Sequence, residues 1–184
     1  MYRACVFPIT FVVRPPTHNQ PTLLTPNPMP ASLTFTTGDL LTAEVDALVN
    51  AVNCEGVMGK GIALQFKQAW PAMFVEYQRM ARAGQVQPGA MQVHHTGSLL
   101  GPRFIINFPT KRHWKHPSRL DDIHSGLVAL THTVRELGIR SIALPALGCG
   151  NGGLRWSDVR PLIEATVERW GDEIRVVVVF GPGG

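Results

Sequence analysis

Val49-Asn50-Ala51-Val52-Asn53-Cys54-Glu55-Gly56-Val57-Met58-Gly59-Lys60-Gly61-Ile62-Ala63 runs from an apolar strand through a glycine-rich loop toward a helix. A second stretch repeats the arrangement: Ile142-Ala143-Leu144-Pro145-Ala146-Leu147-Gly148-Cys149-Gly150-Asn151-Gly152-Gly153-Leu154. Glycine costs backbone entropy, so clusters of it mark sharp turns or close approach to a ligand. A strand that enters glycines and then a helix directs free backbone N–H groups and the helix dipole at an anion. Two such loops suit a ligand carrying two phosphates, held from both sides. Neither loop has the dinucleotide pattern GxGxxG with a following acidic partner, and neither has GxxxxGK[ST].

The 184 residues fit one domain with a full hydrophobic core. With 45% apolar and 16% charged residues the chain reads as globular, and no apolar run is long enough to span a bilayer. Much of the formal charge of +4 is local. Lys111–Arg119 (KRHWKHPSR) holds four basic residues, two histidines and a tryptophan, with no acid. Such a loop suits a phosphate-bearing ligand or nucleic acid, or is a solvated charge run. The three cysteines, Cys5, Cys54 and Cys149, have no CxxC spacing, so neither a disulfide framework nor a zinc site is indicated. A reducing, cytoplasmic setting is expected, and no cofactor or metal is expected.

Residues 1–30 carry seven of the 15 prolines and no acidic residue, which predicts a disordered extension, with Met29 as an alternative start. Beyond it, residues 31–184 form the expected domain. Strand patterns fall at 33–37, 46–50, 90–95, 103–108, 140–145 and 174–180. Helical patterns fall at 60–69, 71–83, 118–137 and 156–170. Gly84 and Gly138 serve as helix stops, and Ser118 and Ser157 as N-caps. Alternating apolar strands and helices predict a three-layer α/β/α sandwich around a mixed six-stranded sheet, with ligand bound beyond the carboxyl ends of the strands. Met58, Phe66 and Trp70 are expected in the core.

Gly38-Asp39-Leu40 closes the first strand. Its carboxylate either accepts from an exocyclic amine such as that of adenine or caps the next turn. Asn50 and Asn53 flank the first loop, to orient ribose hydroxyls or to close an Asx-turn.

Gly38-Asp39-Leu40, Val49-Asn50-Ala51-Val52-Asn53 with its loop, and Ala143–Gly150 together resemble the macro domain family over residues 33 to about 180. The resemblance implies ADP-ribose as ligand. It implies Asp39, with Gly38 and Leu40, at the adenine; Asn53, with Asn50, Ala51 and Val52, at the distal ribose; and both loops at the diphosphate. The loop residues are Gly59, Lys60, Gly61, Ile62, Ala63 and Leu64 in the first, and Leu147, Gly148, Cys149, Gly150 and Asn151 in the second. Macro domain hydrolases of the commonest type carry four glycines and a catalytic aspartate in the first loop, and this chain has no aspartate there. The Met-Gly-x-Gly-Ile-Ala loop and the Thr110-Lys111 pair are instead similar to the DarG-like and terminal ADP-ribose protein glycohydrolase-like subclass.

That likeness implies Lys111 as the catalytic nucleophile at the distal ribose. Arg112, Lys115 and loss of water would lower its pKa. His113, Trp114 and Arg119 are the implied contacts to DNA or its modified base. The second-loop position that carries an acid in the terminal glycohydrolase is Gly152 here, as in the DarG class. The implied partners are ADP-ribosylated DNA and a DarT-like toxin. The chain stops four residues past its last expected strand, so enzymatic reversal is expected rather than direct capture of the toxin. The alternatives are hydrolysis of protein-linked or O-acetyl-ADP-ribose, and a reader that binds ADP-ribose without chemistry.

Overall fold

The computed structural model describes residues 33–171 and 174–181. The expected extension at residues 1–30 lies outside them. The strands are β1 (Leu33–Thr37), β2 (Ala47–Asn53), β3 (Gln92–His95), β4 (Phe104–Lys111), β5 (Ser141–Pro145) and β6 (Arg175–Phe180). The helices are α1 (Gly61–Ala69), α2 (Pro71–Arg82), α3 (Leu120–Glu136) and α4 (Trp156–Glu168), with a short 3-10 turn at Leu40–Thr42. All six strands form one sheet in the order β1-β6-β5-β2-β4-β3. Every neighbouring pair is parallel except β3–β4, so the sheet is mixed, as its pattern predicts.

Strand alternation sends side chains to two cores. Ala47, Val49, Ile106, Phe108, Leu144, Val176 and Val178 pack beneath α3 and α4. Leu48, Val52, Ile105, Ala143 and Val179 pack beneath α1 and α2, where Met58, Phe66, Met73 and Tyr77 are fully buried. Trp70 is half-buried against this second cluster.

Three amides interrupt the second core. Asn50 Nδ2 donates to Asn107 Oδ1 at 2.8 Å, and Asn107 Nδ2 donates to Gln92 Oε1, joining β2, β4 and β3 below the cleft floor. Asn50 is fully buried there, so its side chain belongs to this network rather than to the cleft.

Two strands run further than their sequence patterns suggest. β2 continues to Asn53 and β4 to Lys111, past Pro109. The ladder pairs Val52 with Pro109 and then Asn53 with Lys111, so Thr110 is an extra residue on β4. A bulge tolerates a proline inside a strand and re-aims the side chain that follows.

Gly84 and Gly138 do end α2 and α3, at φ +69° and +59°. The expected serine caps differ. α3 and α4 start behind Arg119 and Arg155, neither with a side-chain cap bond. Ser118 is buried, with its backbone N–H on Gly152 O at 2.9 Å, and Ser157 Oγ donates to Asp158. Ser118 Oγ is buried without a hydrogen-bond partner among the described residues, Ser157 Oγ is engaged with Asp158, and neither reaches an N-terminal N–H.

Close approach explains Gly126 on α3. A Cβ there would stand 2.2 Å from Phe108 Cζ, inside the ring's van der Waals envelope. Gly126→Ala is therefore expected to lower stability by about 1–3 kcal/mol despite the gain in helix propensity. Thermal melts of Gly126→Ala, and of the same change with Phe108→Leu to relieve the overlap, check this. The second variant should recover part of the loss.

Candidate active site

Beyond the carboxyl ends of β2, β4, β5 and β6 lies a cleft of about 1230 Å³. Its walls are the two glycine loops. Ala51, Val52 and Asn53 end β2 along its floor, residues 59–63 form one side and residues 148–152 the other. The loops meet at Gly61, whose φ is +56° and whose Cβ would stand 2.8 Å from Asn151 Nδ2.

Both loops present donors. No backbone N–H from Gly59 to Ala63 has a protein acceptor among the described residues, and Lys60 at the N-cap of α1 makes no capping bond. In the second loop Cys149 N–H and Gly153 N–H close turns on Ala146 and Gly150, while those of Gly150, Asn151 and Gly152 stay free among the described residues. Two sets of converging N–H groups at a helix start suit a diphosphate.

Asn53 borders the cleft, but its amide serves its own loop. Nδ2 donates to Val57 O at 2.6 Å, and Oδ1 accepts from Glu55 N–H at 3.0 Å and Val57 N–H at 3.3 Å. Buried Tyr77 donates its hydroxyl to Asn53 O at 2.7 Å. This is the Asx-turn use of asparagine, and it shapes the first loop before any ligand arrives.

Thr110 and Lys111 come to the cleft from β4. Lys111 Nζ donates to Trp114 O at 3.2 Å. Arg112 points the other way. Its guanidinium grips the carboxylate of Asp122 with two bonds, at 3.1 and 2.9 Å. Its charge is thus paired away from the lysine it was expected to influence. Trp114 is 47% exposed at the cleft mouth, with Lys115 Nζ 5.0 Å from its ring centre. His113 stacks on Trp114, and its Nδ1 accepts from Lys115 N–H. Arg119 sits outside the cleft at the start of α3, 3.9 Å from Asp121.

Several expected contacts lie off the cleft wall. Asp39 is exposed just past Thr37 and accepts from Leu41 N–H at 2.9 Å, capping the 3-10 turn. Leu40 and Leu147 are buried in the two cores, and Gly38 and Leu64 stand beside the wall rather than on it.

No sequence motif singles out the aromatic end of the cleft. Trp156 at the start of α4 and Phe180 at the end of β6 line it, edge to face at 5.0 Å, with Phe35 5.9 Å from Trp156. Each sits where an element meets the strand ends, which is the signal that would have found them. Gly152 is closed to a side chain, because a Cβ would lie 2.2 Å from Gly148 O and 2.3 Å from Ser118 Oγ. Burial pushes the Cys54 thiol up to about 11, helped by Asp122, and burial raises Cys149 too. Both are therefore protonated near neutrality and weak as nucleophiles. Among the described residues no three His, Cys, Asp or Glu gather as a metal-binding group.

Comparison with known proteins agrees with this architecture. A DNA ADP-ribosyl glycohydrolase of Mycobacterium tuberculosis is 50% identical over 152 residues, covering 83% of this chain; the chain spans 43% of that relative's length. The solved macrodomain of Mycobacterium tuberculosis DarG superposes with a TM-score of 0.78 at 50% identity, covering 80% of this chain and 97% of that one. Thermosipho africanus DarTG in complex with ADP-ribose superposes with a TM-score of 0.72 at 35% identity, over 78% of this chain and 40% of that one. The family model of the Macro domain matches residues 49–163. Sheet order, paired glycine loops and that match agree: the chain belongs to the macro domain family.

Proposed function

We propose that this chain binds ADP-ribose in the cleft and removes it from a modified DNA base, with Lys111 as the nucleophile. One observation carries the reading: Lys111 is an amine on the wall of the cleft that both glycine loops line, placed there by the β4 bulge and leading into the basic, aromatic turn. The names of the relatives, DNA ADP-ribosyl glycohydrolase among them, support the substrate class. The fused relative from Thermosipho africanus, which joins a DNA ADP-ribosyl transferase to the glycohydrolase, supports a DarT-like partner. The two described cysteines are free, in keeping with a reducing, cytoplasmic setting.

In this reading the adenine lies at the aromatic end near Trp156 and Phe180, with Asp39 beyond it. The diphosphate rests on the free N–H groups of both loops and on Lys60. The distal ribose then reaches Lys111. The neutral amine adds to the anomeric carbon, the bond to the base nitrogen breaks, and the base leaves with a proton. Water then releases ADP-ribose from the lysine adduct and regenerates the amine. Trp114 and His113 stand at the mouth where the departing base and its DNA strand would lie, and Lys115 and Arg119 supply charge for phosphates.

Three tests follow. Lys111→Ala should lower the rate on ADP-ribosylated DNA by several orders of magnitude while retaining ADP-ribose binding; parallel assays on ADP-ribosylated protein and O-acetyl-ADP-ribose decide the substrate. Release from protein alone would overturn the DNA assignment. Trp156→Ala should weaken ADP-ribose binding by about 1–3 kcal/mol, read by calorimetry. Cys54→Ala and Cys149→Ala should keep the parent's turnover, since neither thiol takes part; loss of the reaction in either variant, with ADP-ribose binding intact, would put a thiol back in the mechanism.

A further inference from the structure

Lys111 leads directly into Arg112, and the two side chains part company there. Successive side chains of an extended segment point to opposite sides. Lys111 faces the cleft, and Arg112 turns back to α3. Between Lys111 and Ser118 the chain forms a turn whose other hydrogen bonds are internal: Lys111 Nζ to Trp114 O, Lys115 N–H to His113 Nδ1, and His116 N–H to His113 O. Among the described residues, the hydrogen bonds that tie this turn to the body are Cys54 N–H on Lys111 O where β4 ends, the Arg112–Asp122 fork beyond it, and Ser118 N–H on Gly152 O.

Asp122 is unusual for its place. Acids in the first turn of a helix normally complement the dipole from the surface, as Asp121 does with a side chain 90% exposed. The Asp122 side chain is only 5% exposed. Burying a carboxylate is unfavourable unless it is paired, and such pairs contribute little net stability compared with apolar packing. The geometry they impose is the better explanation of their presence. The fork is two-pronged and planar, so it fixes direction as well as distance.

We propose that Asp122 is a positioning residue for Lys111, acting through Arg112. This rests on the assignment of Lys111 as nucleophile. By holding the Arg112 guanidinium on α3, Asp122 fixes the end of β4 so that the neighbouring amine meets the distal ribose. It also keeps the Arg112 guanidinium out of the cleft mouth. Neither residue lines the cleft or is placed on ADP-ribose.

The test uses the full chain and an ADP-ribosylated single-stranded oligonucleotide. The variants are Arg112→Lys, Arg112→Gln, Asp122→Asn, the double variant Arg112→Gln/Asp122→Asn, and Lys111→Ala. The double variant leaves no unpaired buried charge, so it remains folded, and a thermal melt verifies this. The expected result is a fall in kcat of about 10- to 100-fold for the double variant, the scale of a small misplacement of a reacting group. ADP-ribose affinity, read by calorimetry, should stay within about twofold. Arg112→Lys, which keeps the charge and loses the fork, should lose most of the same rate, and the Asp122→Asn and Arg112→Gln losses should not add. A double variant with the parent's kcat overturns the proposal, as does a rate loss matched by an equal loss of ADP-ribose affinity. If Lys111→Ala is inactive while the double variant is fully active, only the positioning role fails. If Lys111→Ala keeps the parent's rate, the nucleophile assignment fails and takes this proposal with it.

Discussion

The ladder between β2 and β4 determines where the cleft's chemistry can stand. It runs in register from Ala47–Phe104 to Val52–Pro109 and then slips by one residue, pairing Asn53 with Lys111. Cys54 N–H closes the end of the ladder on Lys111 O at 3.0 Å. Because side chains alternate with a period of two, an unbroken ladder would have exchanged the faces of Thr110 and Lys111. The slip thus sets how Thr110 and Lys111, both on the cleft wall, are presented to it. It also lets a proline sit inside a strand, since an irregular ladder has less need of its missing N–H.

Around that fixed point the two faces of the sheet take different work. Below α1 and α2, the amides of Asn50, Asn107 and Gln92 link three strands in succession. A one-residue slide of the four-residue β3 would break this chain and leave buried amides unpaired, so the network specifies the register of a short edge strand. On the other face, the start of α3 braces both halves of the cleft. Asp122 holds the segment that follows Lys111, and Ser118 holds Gly152 of the second loop. One helix terminus thereby couples the end of β4 to the second glycine loop.

Most of the fold was legible in the chain. The β-branched run of β6, the apolar strands before each glycine loop and the glycine stops of α2 and α3 gave element types and a sandwich that the structure shows. What escaped depends on contacts between segments distant in sequence. The strand patterns stop at Asn50 and Phe108, yet the parallel ladder carries β2 on to Asn53 and β4 on to Lys111. Nothing in the chain sets Asp122 apart from its neighbour Asp121, because only the fold brings Arg112, ten residues earlier, onto it. Ser118 read as a cap, and instead wedges beneath the second loop. Asn53 kept two readings open in sequence, and the structure spends its amide on the first loop. The aromatic end of the cleft was split among Phe35, Trp156 and Phe180, which no single motif joins.

The packing around Gly152 has a consequence for how such a chain can change. Its missing side chain is not empty space that any residue might fill, because Gly148 O and Ser118 Oγ already occupy it. One of those neighbours is backbone and cannot be trimmed by substitution. Placing an acid there would require the second loop to be rebuilt and residue 118 to shrink in the same step. Intermediates with only one change would carry a displaced second loop. The proposed lysine route and an acid-assisted one at residue 152 are therefore separated by a valley that single substitutions do not cross.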